Sequence, residues 1–115
     1  MTARATGKET LESPDWYVYM LRCNDGSVYT GVSTDVARRL NEHRSGGARS
    51  ARYLRARRPV DVIFAQRVGE RSAALIAEHA IKRLEKNQKE ELAGGITTLG
   101  EVLARYAMQR ARRGG

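Results

Sequence analysis

The sequence predicts a small α/β domain of the α+β kind, with a three-stranded antiparallel sheet flanked by helices. Three observations predict it. Two tyrosine-bearing runs, Trp16 to Cys23 and Ser27 to Val32, are separated only by Asn24-Asp25-Gly26, the signature of a hairpin. A third alternating run, Val60 to Gln66, follows Pro59 and reads as the third strand. The rest of the chain places apolar residues at helical spacing.

Met1 to Ser13 is polar and without period, and reads as a disordered leader ending at Pro14. The expected organisation is a leader over 1–14, one domain over 15–112 and a basic tail over 113–115. The hairpin allows two registers. A two-residue Asp25-Gly26 loop would put Tyr19 and Tyr29 on opposite faces. A three-residue loop with Gly26 left-handed pairs Cys23 with Ser27 instead. Tyr17, Tyr19, Leu21, Tyr29 and Gly31 then share one face, and Val18, Met20, Val28, Thr30 and Val32 the other. The second register is favoured because it separates phenols from aliphatic side chains.

Thr34 is the expected N-cap of a helix from about Asp35 to Arg44, stopped by Ser45-Gly46-Gly47. At about 100° per residue, Val36, Arg39, Leu40 and His43 form its inward stripe while Arg38 faces solvent. Arg44 to Arg58 reads as an arginine-rich loop or short helix around Tyr53 and Leu54. A second helix is expected over about Arg71 to Glu91 and a final one over Leu99 to Arg112, with Gly94-Gly95 between them.

A chain of 115 residues is long enough to bury about 65% of its unfolded surface without disulfides. The lone Cys23 cannot pair within the chain, and no secretory segment or apolar run near the roughly 20 residues of a membrane span is present. A cytoplasmic setting is expected. Lys and Arg number 21 against 13 acids, for a net charge of +8. Between Arg38 and Arg58 there are eight arginines and one acid, Glu42, so an anionic partner, nucleic acid above all, is expected.

Tyr17-Val18-Tyr19, the turn, Tyr29-Thr30-Gly31, then Arg39, His43 and Glu78 together resemble the signature of the GIY-YIG nuclease superfamily. The resemblance spans Tyr17 to Lys89 and is closest to small stand-alone, UPF0213-like members, which share the Ser50 to Arg55 segment and the Ile81-Lys82 and Lys89 positions. Tyr17, Val18 and Thr30 depart from the glycine and isoleucines of the two signatures, at strand positions that tolerate such exchange. Asn87 does not match the late asparagine of many relatives.

The resemblance implies a metal-dependent endonuclease acting on DNA in preference to RNA, as a monomer or weak homodimer. Tyr19 and Tyr29 would border the attacking water and Arg39 would hold the scissile phosphate. Glu78 would bind one Mg²⁺ or Mn²⁺, weakly without substrate because a lone carboxylate leaves most of the shell to water and phosphate. Either Tyr29 or His43 would take the water's proton. Free tyrosine titrates near ~10 and histidine near ~6.5, which ranks His43 first. Arg49, Arg52, Tyr53, Arg55 and Lys82 are the expected nucleic-acid contacts, with Tyr53 either stacked on a base or capping the core.

Each residue also has an ordinary structural reading. The tyrosines suit any strand, His43 suits a satisfied core, and Glu78 could simply pair with Lys82 at i+4. The rival functions are a non-catalytic DNA- or RNA-binding module keeping the nuclease-like fold and, on charge alone, an adaptor for an acidic protein.

Overall fold

The computed structural model describes residues 15–46, 51–52, 54 and 57–114. Among these residues three strands form one antiparallel sheet in the order β2-β1-β3: β1 (Trp16–Cys23), β2 (Val28–Ser33) and β3 (Pro59–Gly69). Helix α1 (Val36–Ser45) follows the hairpin, and α2 (Arg71–Lys82), α3 (Lys86–Ala93) and α4 (Leu99–Gly114) follow the sheet. The fold is α+β, as the periodicities predict. The leader lies outside the described residues.

The hairpin takes the three-residue loop. Tyr17 faces Ser33, Tyr19 faces Gly31 and Leu21 faces Tyr29. Gly26 sits at φ 85°, where a side chain would be strained, and its N–H closes the turn on the Cys23 carbonyl at 2.9 Å. This register creates two chemically different sheet faces. Val18 and Met20 pack on Ala77, Ala80 and Ile81 of α2, with Leu92 of α3 and Leu99 and Val102 of α4 completing that core. Tyr19, Leu21 and Cys23 point the other way, under Val36 and Leu40 of α1 and under Leu54.

Both faces are therefore covered. The tyrosine face is not an open phenolic surface, because α1 folds back across it and leaves Tyr19 only 1% exposed. Cys23 is buried here and its pKa is raised by that burial, consistent with an inert thiol.

Several boundaries differ from the sequence reading. Asp35, not Thr34, caps α1: its extended backbone turns the chain and its carboxylate accepts the Arg38 N–H at 3.1 Å. Strand β3 continues to Gly69. The pairing shifts between Met20 and Leu21, which face Phe64 and Val62 respectively, so a bulge at Ile63 breaks the simple alternation of Val60, Val62 and Phe64. The expected single helix over 71–91 is two helices, because the chain breaks at Arg83 to Glu85. Leu84 turns into the core there, and the Gln88 side chain accepts the Glu85 N–H at 2.9 Å to restart the helix. Arg22 of β1 then grips Glu90 of α3 through two bonds of 2.6 and 2.8 Å, holding that carboxyl down to about 2.

Candidate active site

Two helices cover the sheet, one over each face. Helix α1 starts one turn after β2, and its i, i+4 spacing puts Arg39 and His43 on the stripe that lies over the tyrosines. Helix α2 packs on β1 and β2 from the aliphatic side. Glu78 is part-buried on α2, close enough for its charge to raise the pKa of both Tyr19 and Tyr29. All five expected catalytic residues thus meet in one region.

His43 is 1% exposed. Its Nδ1 accepts the Ala51 backbone N–H at 3.2 Å, and its Nε2 lies 3.2 Å from the Tyr19 hydroxyl. A neutral ring that accepts at Nδ1 carries its proton on Nε2, so this network assigns Nε2–H as donor to the Tyr19 oxygen. Burial, reinforced by the Arg39 charge and opposed by Glu42, lowers the His43 pKa from 6.5 to about 4. The sequence reading placed His43 beside the water with an ordinary pKa. The structure places it behind Tyr19, because the i+4 position on α1 points into the sheet and not into the cleft.

Tyr29 packs edge-on against His43 at 5.5 Å between ring centres and lies 6.4 Å from Tyr19. It is half-buried and so reaches solvent, unlike Tyr19. Burial raises the pKa of both phenols, and Arg39 pulls each back. Gly31 makes this packing possible. A Cβ there would stand 2.6 Å from the Tyr19 hydroxyl oxygen and 3.0 Å from Tyr29 Cε2.

Arg39 keeps 28% of its side chain exposed and bonds Glu42 at 2.9 Å, while Glu42 also takes Arg38 at 3.1 Å. Glu42 is the one acid among the arginines of 38–58, and its i+3 spacing from Arg39 is the sign in the sequence of an orienting role. On the other helix Lys82 reaches Glu78 at 3.3 Å, the pairing its i+4 spacing allows. Half-buried Lys89 lies close enough to Lys82 for that charge, after burial, to lower its pKa.

The fit to a divalent ion rests on Glu78. Its charge reaches both phenols, its side chain is 20% exposed, and among the described residues its Oε2 pairs with Lys82, an exposed lysine that can swing away. No group of three or more His, Cys, Asp or Glu side chains that could hold a metal occurs among the described residues, so a hard ion here would complete its shell with water and phosphate. Of the expected nucleic-acid contacts, Arg52 and Lys82 are exposed. Arg49, Tyr53 and Arg55 lie outside the described residues.

Comparison with known proteins identifies the family. Residues 15–91 match the model of the GIY-YIG catalytic domain. A UPF0213 protein of Pectobacterium carotovorum is 48% identical over 84 residues, covering 73% of this chain and 83% of the relative. One from Desulfotalea psychrophila is 44% identical over 81 residues, covering 70% and 73%. Another, from Escherichia coli, is 40% identical over 89 residues, covering 77% and 87%. Among solved structures, the solution structure of a UPF0213 protein of Bacillus halodurans is 39% identical, covers 70% of this chain and 83% of its own, and superposes with a TM-score of 0.45. No helix among the described residues is long and apolar enough to cross a membrane.

Proposed function

The chain belongs to the GIY-YIG family, a nuclease superfamily, and on that premise we propose that it is a metal-dependent endonuclease that hydrolyses phosphodiester bonds, with DNA as its substrate. The observation that carries this reading is the meeting of a part-exposed arginine, a solvent-reaching phenol and a single carboxylate at one sheet edge. A module that only bound nucleic acid would need Glu78 for no more than its exposed i+4 pair with Lys82.

Arg39, held by Glu42, binds a non-bridging oxygen of the scissile phosphate and stabilises the charge of the pentacovalent transition state. Tyr19 accepts from His43 and hydrogen-bonds Arg39, so the buried phenol positions that guanidinium from behind. The attacking water adds to phosphorus opposite the leaving oxygen, and Tyr29 in its phenolate form takes its proton. His43 acts as a positioning residue that fixes Tyr19. Glu78 would hold Mg²⁺ or Mn²⁺, which when bound would neutralise the departing oxygen. Lys82 and Arg52 hold the flanking backbone.

The test is cleavage of labelled single-stranded, duplex, flap and branched DNA and RNA with Mg²⁺ or Mn²⁺, comparing wild type with Glu78→Gln and Arg39→Ala. Cutting by the wild type and its loss in both variants, with binding kept by Glu78→Gln, is the expected result. Salt-sensitive binding without cutting on every substrate would sink the enzyme and leave a binding module.

A further inference from the structure

Helix α4 lies outside the span that matches the family domain, yet it forms a second cleft with the back of α2. The cleft encloses about 640 Å³. Its floor includes Ile76, half-exposed on α2, and its walls carry Arg83 at the end of α2 and Arg110 and Arg113 on α4. At its centre His79 and Tyr106 meet at 5.6 Å between rings, and the Arg110 guanidinium lies 5.8 Å over the Tyr106 ring.

The composition of this cleft is one-sided. No acidic residue lines it, and none of its three arginines forms an ion pair among the described residues. Tyr106, Arg110 and Arg113 share one face of α4, whereas Arg105 and Arg112 fall about 100° away. Planar cations and aromatic rings on one concave surface suit phosphates and unpaired bases together.

We infer that the α2–α4 cleft is a second nucleic-acid subsite, which holds a single-stranded flank of the substrate away from the scissile phosphate. The inference rests on the nucleic-acid reading of the catalytic edge but not on cleavage. Glu78 and His79 are adjacent on α2 and point about 100° apart, so the two sites lie on different faces of the same helix. The cleft contributes affinity and substrate choice, and the sheet edge contributes the chemistry.

The experiment measures binding of a fluorescein-labelled flap DNA, with both a duplex and a single-stranded arm, across a salt series in the Glu78→Gln protein. Arg110→Ala/Arg113→Ala is compared with Arg71→Ala/Arg112→Ala, which removes the same charge from residues that do not line the cleft. The cleft pair is expected to weaken binding about tenfold and to lower the slope of log K against log salt by about 1.4, near 0.7 for each single-strand phosphate that is no longer neutralised. The other pair should change little.

Equal losses in the two pairs would overturn the subsite, since net charge would then explain both. So would wild-type-like binding by the cleft pair, or a loss confined to binding of polyglutamate, which would assign the cleft to an acidic protein. A wild type that binds with the expected difference but never cuts would overturn the nuclease and uphold the cleft.

Discussion

The hydroxyl of Tyr19 stands 3.2 Å from Nε2 of His43, and the opposite nitrogen of that ring accepts the Ala51 N–H at 3.2 Å. The imidazole is therefore a strut between the backbone beyond α1 and the phenol of β1. It is held neutral, because protonation at Nδ1 would set two donors against each other in a buried site.

This strut makes stability depend on pH. The folded pKa of about 4 lies below the ordinary 6.5, so between these values the unfolded chain binds more protons and stability rises with pH. The contribution is complete above pH ~6.5 and is lost as pH falls toward ~4, with a ceiling of about 3 kcal/mol. Urea unfolding should find the wild type about 2 kcal/mol less stable at pH ~5 than at pH ~7.5. His43→Gln should abolish most of that difference while lowering stability at the higher pH. An unchanged pH dependence in the variant would show that His43 is not the titrating group.

Gly31 is the second support of Tyr19. An alanine Cβ would lie 2.6 Å from the phenol oxygen and 2.8 Å from Cζ, and the ring cannot retreat without breaking its bond to His43. Gly31→Ala should cost about 1–3 kcal/mol in overpacking and reduce cleavage well beyond what lost folded protein explains. Rates corrected for the folded fraction from urea curves check this. A fully active, stable variant would mean that Tyr19 moves freely.

Thr30 offers the reverse case. Its hydroxyl is buried on the aliphatic face with no hydrogen-bond partner among the described residues, although a neighbouring valine-rich sheet would accept a methyl group. Thr30→Val keeps the shape and removes the unsatisfied oxygen, so it should stabilise the protein by about 1 kcal/mol and raise Tm by several degrees. A lower Tm would reveal a partner, such as buried water, for that oxygen.

Local spacing carried most of this architecture. The Asn24-Asp25-Gly26 loop and the separation of phenols from aliphatic residues identified the hairpin register, and the i+4 pairs placed Arg39 with His43 and Glu78 with Lys82. What spacing could not carry depended on the chain's return. Burial of Tyr19 and His43 follows from α1 folding over the sheet, and the Ala51 contact comes from eight residues downstream. The bulge at Ile63 and the break at Leu84 likewise answer to tertiary packing, which hides behind a continuous alternation or helical period. The α2–α4 cleft needed two distant helices to be placed side by side.

The burial of His43 also changes how the proposed reaction should respond to pH. A base with a pKa of about 4 is fully available at neutrality, so a rate limited by it would be flat above pH ~6. Tyr29 behaves oppositely, because burial raises its pKa above the ordinary value and leaves little phenolate near neutrality despite the pull of Arg39. Single-turnover cleavage should therefore climb by about tenfold per pH unit from neutral into the mildly alkaline range. Tyr29→Phe should cut slowly and lose that slope. If the wild-type profile is flat, the proton does not go to a tyrosine; if the slope survives in Tyr29→Phe, the titrating group is the metal-bound water, and Tyr29 only orients it.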